Sequence, residues 1–385
     1  MKEYKFIAKT FSGLETELAD ELISLGAKDV KPLLRGVSFL GDIALMYKVN
    51  YQSRLSLRIL MVLQSFPVKD ERDLYQNVNK IEWERFLDPF GSLAVDAVSF
   101  HQKLKHTLFI SQLAKDAVVD RIRNKEGRRP SVDLIAPDLR INLHLDQKEA
   151  TVTLDSSGTP LFKRGYRIGT IEAPINEVLA AGLLALSKWN GEKALYDPMC
   201  GSGTFLIEAA MKATNTPAGK FRQEFAFMKW QDFDEKLWNR VKMEIYQAVV
   251  PLKAVIKGSD ISRKSLSMTR RNLQESGFAD QILLEARNFL KQEENFSGTV
   301  ITNPPYNERM SLEDMDAFYR NIGSTLKHTC IDSDVWIITS NMEAVHAIGL
   351  RPAKKIKVFN GKLECRFLKY EIYSGSKKNV PTNNK

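Results

Sequence analysis

The 385-residue sequence predicts an α/β protein: a mostly parallel sheet from about residue 170 onward, preceded by an α+β region. Two observations predict this division. After residue 170, apolar strands, glycine-containing turns and helical patterns follow one another, as in sheets that are covered on both faces. Before it, strands and helices alternate and end in an antiparallel strand pattern over 138–155. The chain is longer than a usual single core, so we expect more than one domain.

Composition excludes several classes of protein. The hydrophobic fraction of 43% and the charged fraction of 27% are ordinary for a globular protein, and no apolar run reaches the roughly 20 residues needed to span a bilayer. The N-terminus carries acidic residues where a signal peptide needs an apolar stretch, so we expect a cytoplasmic protein without a membrane partner. Cys200, Cys330 and Cys365 lack paired spacing, which argues against a disulfide framework and a zinc site, and we expect no metal.

The net charge of +9 favours an anionic partner, although the excess is divided almost equally between the two halves of the chain. Local basic clusters are therefore more informative than the total. Two clusters are candidate contacts for the phosphates of a nucleic acid, although a solvated face has the same pattern. Their basic residues are Arg121, Arg123, Lys125, Arg128 and Arg129 in the first cluster, and Lys163, Arg164 and Arg167 in the second, KRGYR.

The N-terminal region reads as alternating strands and helices. Leu14, Leu18 and Leu22 recur every four residues on one face of a helix that Gly26 ends. The remaining predicted elements are strands at 5–11, 58–66 and 93–100, and helices at 43–53, 74–87 and 107–123. This region lacks a nucleophile and base pair, a phosphate loop and metal-ligand spacing, so the sequence favours binding over chemistry, and a purely structural role stays open.

The sharpest local pattern is LYDPMCGSGTFLIEAA, residues 195–210. An apolar strand reaches Asp197, a turn contains Gly201 and Gly203, and a helix begins near Thr204. Glycines permit a tight turn and a close approach of backbone to ligand at the carboxyl end of a strand, where open α/β sheets bind ligands. A dinucleotide fingerprint fits poorly, because it needs a small residue at Leu206, and a Walker loop fits worse because its lysine is missing.

Later strands place polar groups at the same edge of the sheet. Asp260 ends the strand AVIKGSD, where a carboxylate can accept hydrogen bonds from ribose hydroxyls. Asn288 and Phe289 follow the next strand, ILLEARNFL, and supply an edge partner and an apolar face for adenine. Together these residues describe an adenosine site.

The segment TNPPY follows a further short apolar strand. An exocyclic amine on a purine is a poor nucleophile, so a catalyst must orient its lone pair. The Asn303 side-chain oxygen and the Pro304 carbonyl can each accept one amine hydrogen, Pro305 fixes the backbone, and Tyr306 offers a face on which an extruded base can stack.

The chain resembles the THUMP-domain RNA methyltransferases, and specifically the bacterial large-subunit (23S) ribosomal RNA guanine-N2 methyltransferases. The motifs that carry the resemblance cover nearly the whole chain: KRGYR (163–167), EAPINEVLAAGLL (172–184), DPMCGSGTFLIEAA (197–210), GSD (258–260), TNPPYNERM (302–310), TSN (339–341) and NGKLECRFLKY (360–370). The resemblance implies a ferredoxin-like segment at 1–60, a THUMP RNA-binding domain at 61–160 and a Rossmann-like class I methyltransferase domain at 161–374. We expect the tail at 375–385 to be disordered.

The resemblance also implies S-adenosylmethionine as cofactor, S-adenosylhomocysteine as product, and ribosomal RNA or a ribosome assembly intermediate as partner. It assigns catalysis to Asn303, Pro304, Pro305 and Tyr306. The implied cofactor-binding residues are Ala173, Pro174, Asp197, Cys200, Gly201, Gly203, Thr204, Asp260, Ile261, Asn288, Phe289 and Asn303. The family frequently has aspartate at the position of Asn288, and asparagine keeps an acceptor there but lacks the charge.

Two features near the end of the catalytic region complete the predictions. Asn360 and Gly361 lie between two alternating apolar runs, which indicates a hairpin and therefore an antiparallel last strand. Residues 212–250 form an aromatic-rich insertion that either packs in a core, acts as a lid or lines the target-base cleft.

Other functions remain open at this point. A DNA adenine-N6 methyltransferase, or an enzyme that methylates a protein glutamine amide, shares the cofactor turn and the Asn-Pro-Pro-Tyr chemistry. A non-catalytic RNA-binding protein with a relict methyltransferase fold is a further alternative, although Asn303 and Asp260 are intact. The N-terminal region with its basic clusters favours RNA. The oligomeric state is not predicted.

Overall fold

The computed structural model describes residues 2–169, 174–305 and 312–373. In the first part of the chain the strands and helices are β1 Tyr4–Lys9, α1 Glu15–Leu25, β2 Lys28–Leu33, β3 Gly36–Gly41, α2 Ile43–Gln52, β4 Arg58–Pro67, α3 Glu71–Lys80, β5 Ser92–Ser99, α4 Thr107–Glu126, β6 Ser131–Val132, β7 Leu139–Leu145 and β8 Glu149–Asp155. In the second part they are α5 Glu177–Leu186, β9 Leu195–Asp197, α6 Thr204–Ala213, α7 Glu235–Gln247, β10 Ile256–Asp260, α8 Arg263–Ser276, β11 Ile282–Ala286, β12 Thr299–Thr302, α9 Leu312–Thr329, β13 Ser333–Thr339, β14 Lys354–Asn360 and β15 Leu363–Ile372. Among the residues that the structure describes, no helix is long and apolar enough to cross a membrane.

The chain divides into two compact units. The first contains the residues up to Arg164 together with the insertion Pro217–Ala248, and the second contains Gly165–Thr216 and the residues from Val249 onward.

The first unit contains a mixed sheet in the order β2-β3-β1-β4-β8-β7-β5-β6. The predicted antiparallel pair over 138–155 is confirmed as β7 and β8, with Ile141 opposite Leu154 and Leu143 opposite Val152. These four side chains are buried and alternate with polar ones along each strand, although β8 also buries Thr153 and Asp155 on its opposite face. The α1 helix also agrees with prediction: Leu14, Leu18 and Leu22 are buried, and Gly26 ends the helix in the left-handed conformation.

One local prediction for the first unit is wrong, and one hairpin was not predicted. The helix predicted over 74–87 ends at Lys80, and a separate 3₁₀ helix covers Trp83–Arg85. Trp83 is fully buried and its indole Nε1 donates to the Val78 carbonyl at 2.8 Å, which turns the chain back. The β2–β3 hairpin was not predicted, because the segment KDVKPL is mostly exposed and has no apolar alternation.

The second unit contains a Rossmann-like sheet in the order β11-β10-β9-β12-β13-β15-β14. Strands β9 to β13 pair in parallel, whereas β15 pairs antiparallel with both β13 and β14. The fold class predicted from sequence, including the antiparallel last strand, is confirmed. The hairpin loop lies one residue further on than predicted: Asn360 pairs with Leu363, so Gly361 and Lys362 form the loop, and Gly361 adopts the positive φ of 65°.

Candidate active site

A cavity of about 720 Å³ lies at the carboxyl ends of β9, β10 and β12. Strands β10 and β12 lie on either side of β9 in the sheet. From β9 the chain continues to β10 and β11 on one side, and then crosses to β12 and β13 on the other side. Parallel sheets bind ligands at this kind of switch point, because the loops on either side diverge and leave a crevice.

The turn after β9 is held by main-chain and side-chain hydrogen bonds. The Cys200 N–H donates to the Ser259 carbonyl at 3.0 Å, and the Thr269 hydroxyl donates to the Gly201 carbonyl at 2.7 Å. Gly203 has a φ of +82°, and a Cβ atom there would lie 2.7 Å from Cγ2 of Thr269. Glycine is therefore required at this position both for its backbone conformation and for the close packing of α8 on the turn.

Asp197, the last residue of β9, is almost fully buried and lines the cavity. Burial raises the pKa of its carboxyl to about 8, against the opposing effect of the Met199 main-chain N–H, which donates to its Oδ1 at 3.2 Å. Asp260 also acts to raise this pKa through charge repulsion. A buried carboxyl in this state favours a cationic ligand, because a positive charge stabilises the ionised form.

Asp260, the last residue of β10, has a different environment. Its Oδ2 accepts the Gly201 N–H at 3.0 Å and its Oδ1 accepts the Ser262 N–H at 2.8 Å. The carboxylate thus connects the glycine turn to the start of α8. Each oxygen has a further lone pair, so Asp260 can also accept from a ligand hydroxyl within the cavity.

The residues that follow β11 include Asn288 and Phe289, which also line the cavity. The Asn288 Oδ1 accepts the Leu290 N–H at 3.0 Å and caps a short 3₁₀ helix, so this oxygen is partly engaged already. Phe289 is buried and packs edge-on against Tyr196, with 6.3 Å between ring centroids. Ile261 is 71% exposed at the cavity and presents an apolar surface without a protein partner to bury it.

Asn303, Pro304 and Pro305 follow β12 and line the same cavity as Asp197 and Asp260. The predicted polar strand ends and the predicted proline segment therefore meet at one site. Pro174, Cys200 and Thr204 line it as well, and burial raises the pKa of the Cys200 thiol. Two further predicted residues, Ala173 and Tyr306, lie outside the described residues.

Sequence reasoning did not identify several lining residues. Arg287 follows β11 directly and is paired with Glu285 at 3.1 Å and Glu294 at 2.8 Å, and its position beside Asn288 was an available signal. Phe318 of α9 and Leu363 of β15 gave no local signal, because only tertiary folding brings their elements to this edge.

The residues present fit an adenosine cofactor that carries positive charge. Two carboxyl groups lie at neighbouring strand ends, a glycine turn allows close backbone approach, and Ile261 supplies an apolar face. The cavity volume is in the usual range for small-molecule sites.

The predicted RNA-contact residues differ in their surroundings. Arg121 donates to both carboxylate oxygens of Glu84, at 2.6 and 3.2 Å, and Arg123 pairs with Asp120 at 2.9 Å while remaining half exposed. Lys125, Arg128, Arg129 and Lys163 are exposed.

Arg164 and Arg167 have structural contacts that argue against the RNA prediction for them. Arg164 is 1% exposed, and its guanidinium donates to the carbonyls of Leu161 and Arg54 at 2.9 and 2.6 Å. Arg167 pairs with Glu177 at 2.8 Å and donates to the Thr204 hydroxyl at 2.8 Å. The charge pattern could not reveal this, because a buried arginine and a solvated one look alike in sequence.

The aromatic insertion packs within the first compact unit. Trp238 makes edge contacts with Tyr47, Tyr51 and Phe227 at centroid separations of 5.8, 5.4 and 5.2 Å. Phe225 stacks on Phe227 at 5.4 Å. Of the three readings of this insertion, these contacts support core packing. The three cysteines are buried and not joined in disulfides.

Comparisons with known families match three successive regions of the chain. Residues 5–60 match the RlmL ferredoxin-like domain, residues 68–155 the THUMP domain, and residues 164–369 the RMKL-like methyltransferase domain. The last match covers more than half of the chain.

Similar proteins agree with these matches. A putative RNA methyltransferase of Synechocystis is 38% identical over 371 residues, which cover 96% of this chain and 97% of that protein. The ribosomal RNA large subunit methyltransferase K/L of Syntrophotalea carbinolica is 37% identical over 382 residues, but the chain spans only 53% of its length.

Two solved structures have the same fold over almost the whole chain. SMU.472, a putative methyltransferase in complex with SAH, has a TM-score of 0.87 and 31% identity, with 98% of this chain and all of that chain covered. A predicted N6-adenine-specific DNA methylase from Listeria monocytogenes also has a TM-score of 0.87, with 29% identity and 97% of each chain covered. The predicted family resemblance is confirmed: the chain belongs to the RMKL-like, THUMP-containing family of S-adenosylmethionine-dependent methyltransferases.

Proposed function

We propose that this enzyme transfers a methyl group to the exocyclic N2 amine of a guanine in RNA, and that the RNA is large-subunit ribosomal RNA. The observation that carries the proposal is the position of Asn303 and Pro304, which line the same cavity as Asp197 and Asp260. Acceptors for an amine thus lie at the site that holds the methyl donor.

The roles of the residues follow from their chemistry. When bound, S-adenosylmethionine supplies an electrophilic methyl group on a positively charged sulfur. Asp197 would balance its positive charge, Asp260 would accept from its ribose hydroxyls, and Ile261 would cover its adenine. The Asn303 side-chain oxygen and the Pro304 carbonyl would each accept one hydrogen of the substrate amine, which leaves the nitrogen lone pair directed toward the methyl group.

Neither acceptor needs to act as a general base. The nitrogen becomes acidic as the methyl bond forms, and its extra proton can then be released to water. Neutral acceptors therefore suffice to orient the amine, and the buried acidic group, Asp197, is left for the cofactor.

RNA as the substrate is supported by the THUMP match and by relatives that are named RNA and ribosomal RNA methyltransferases. The K/L relatives are about twice as long as this chain, so their substrate is a proposal here. We also propose a ribosome assembly intermediate as the natural form of the substrate and a cytoplasmic location, since ribosomal RNA is the substrate. The exposed basic residues Lys125, Arg128, Arg129 and Lys163 are proposed RNA contacts.

We further propose that RNA capture belongs to residues 61–160, after a ferredoxin-like segment at 1–60, and that methyl transfer belongs to 161–374. The end of the first compact unit at Arg164 supports a boundary near residue 160. The insertion Pro217–Ala248 is the exception, because it clusters with the first unit.

The test is the identity of the product. Purified protein, labelled S-adenosylmethionine and total RNA from a strain that lacks the gene should give N2-methylguanosine in large-subunit RNA, identified by nucleoside mass spectrometry. Label in N6-methyladenine of DNA, or in a protein glutamine, would refute the proposal, and so would an absence of label in any nucleic acid from a protein that binds the cofactor.

A further inference from the structure

The loop before α4 combines exposed aromatic and basic side chains that belong neither to the cavity nor to the basic clusters. Phe100 is 67% exposed, and Lys103, Lys105 and His106 are exposed around the first turn of the helix. The chain from residue 97 to residue 115 contains three lysines, two histidines and no acidic residue. We call the exposed residues Phe100, Lys103, Lys105, His106, Leu108 and Phe109 the α4-entry patch.

The loop is anchored, so the patch is presented by a fixed backbone. His101 and Leu104 are buried, and the His101 Nδ1 accepts the main-chain N–H groups of Lys103 and Leu104 at 3.2 and 3.0 Å. The Ser99 hydroxyl donates to the Leu104 carbonyl. A binding loop that is already ordered loses less conformational entropy when a ligand binds.

Exposed Phe100 lies next to another aromatic ring, that of His144. Its ring centroid is 5.8 Å from that of His144 on β7, which is also exposed, and the two planes are inclined by 51°. Leu108 is 61% exposed and Phe109 39% exposed. Large apolar side chains that are clustered on a surface mark an interaction site more often than scattered ones.

The hydrogen-bond donors in the patch suit phosphate. The His106 Nδ1 accepts the Phe109 N–H at 3.0 Å, so the neutral ring carries its proton on Nε2, which can donate to a ligand. The N-terminus of the 20-residue helix α4 adds about half a positive charge to that of Lys103 and Lys105. Asp146, the acidic residue beside His144, already accepts the N–H groups of Lys148 and Glu149 at 2.8 Å.

Aromatic faces next to lysines on a fixed loop are the chemistry with which proteins bind unpaired nucleotides. A protein partner would use the apolar area but has no need for the cations, and paired RNA would use the cations but cannot offer free base faces. We infer that the α4-entry patch binds an unpaired segment of the RNA substrate, with a base stacked on Phe100 and phosphates at Lys103, Lys105 and His106.

This inference deepens the proposed function and rests on it. It also places a contact at the opposite end of α4 from Arg128 and Arg129. A helix of 20 residues is about 30 Å long, so the RNA would be held at two separated points.

The test uses the full-length protein and a fluorescein-labelled 12-nucleotide single-stranded RNA of mixed sequence. In fluorescence anisotropy, Phe100→Ala should weaken binding by about tenfold, the usual size of one stacking contact. Phe100→Tyr should bind like the wild type, whereas Phe100→Leu should bind as weakly as Phe100→Ala. The matched control is Tyr246→Ala, which removes another exposed aromatic of the same compact unit and should change nothing.

Charge is tested separately. Lys103→Ala with Lys105→Ala should make the salt dependence shallower by a slope of about 0.7 per lost phosphate contact, and Lys236→Ala should leave it unchanged. Phe100→Ala should keep the wild-type slope, since stacking releases no counterions.

Three outcomes would overturn the inference. The first is wild-type affinity in Phe100→Ala. The second is full rescue by Phe100→Leu, which would indicate an apolar docking site for a protein. The third is an equal loss with a 16-base-pair RNA duplex.

If the wild type methylates ribosomal RNA while the patch variants bind and react normally, only the inference fails. If the wild type neither binds nor methylates RNA, the proposed function fails with it.

Discussion

Two groups of residues meet at the cavity of the second compact unit, and they differ in charge. Asp197 and Asp260, at the ends of β9 and β10, are carboxyl groups, whereas Asn303, Pro304 and Pro305, after β12, supply only neutral oxygen acceptors. The difference separates two tasks. Carboxylates attract and hold a cationic donor, while neutral acceptors orient an uncharged amine without competing for the same positive charge.

The largest expected effect is on the rate of methyl transfer and comes from the neutral acceptor Asn303. Asn303→Ala should lower the single-turnover rate of methyl transfer by about 10² to 10³, the typical cost of one acceptor that acts in the transition state. The dissociation constant of S-adenosylmethionine, measured by calorimetry, should stay within error of the wild type. A rate that does not change, or a cofactor affinity that falls with the rate, would break the proposed separation of tasks.

On the charged side, Asp260→Ala should weaken cofactor binding by about 10- to 100-fold, because hydrogen bonds to a charged group contribute about 1.5 to 3 kcal/mol. Part of the loss would come from the glycine turn, since Asp260 also accepts the Gly201 and Ser262 N–H groups. Asp260→Asn keeps one acceptor oxygen and is the control, with a smaller loss. Wild-type affinity in the alanine variant would remove Asp260 from the ribose role.

The raised pKa of Asp197 predicts that both the stability of the fold and the affinity for the cofactor depend on pH. Its pKa of about 8 lies above the value of about 3.9 in an unfolded chain, so the fold favours the protonated form. The resulting contribution to the free energy of unfolding is fully present below about pH 4 and is lost as pH rises toward 8. A cationic cofactor favours the ionised form, so its affinity should increase with pH below 8, by at most about tenfold per pH unit.

Two measurements check this pH dependence. Calorimetry near pH 7 in buffers of different ionisation enthalpy should detect release of up to about one proton when the cofactor binds. In urea unfolding of the free protein, the wild type should lose stability relative to Asp197→Asn as pH rises from about 4 toward 8, because the other titrating groups contribute to both proteins alike. Asp197→Asn should also abolish the proton release. Binding without proton release would mean that Asp197 does not face the positive charge of the cofactor.

The smallest expected effect on cofactor affinity concerns Asn288, which follows β11. Asn288→Asp adds a charge but keeps the oxygen that caps Leu290. Partly exposed charges contribute about 0 to 1 kcal/mol, so we expect cofactor affinity to change by less than about fivefold. A larger gain in a binding titration would show that this family position needs its charge, and a loss would show that the neutral side chain suits this protein better.

Local patterns carried most of what could be predicted about the site. The strand that ends at Asp197, the turn with Gly201 and Gly203, and the helix from Thr204 are adjacent in sequence, so their geometry follows from short-range rules. Asp260 could be placed because parallel strands end at a common edge. Phe318 and Leu363 could not, since α9 and β15 reach the cavity through tertiary packing.

The basic clusters show the opposite case. The basic residues of KRGYR and of the 121–129 segment were predicted to contact RNA from their charge alone. In the structure, Arg164 is buried and donates to carbonyl groups, and Arg121 is paired with Glu84. The α4-entry patch was not identified, because its aromatic and basic residues form no recognised motif. Charge and polarity are properties of the residue, whereas exposure is a property of the fold.

The sequence by itself determined the fold class, the strands that end at the cavity, and the chemical groups at those ends, because these depend on neighbouring residues and on the regular geometry of parallel sheets. Only the tertiary structure decided which arginines are buried, that the aromatic insertion packs with Tyr47 and Tyr51, and that burial raises the pKa of Asp197. Those properties depend on which distant segments surround a side chain, and the free energy of burying a charge or a ring is set by that environment.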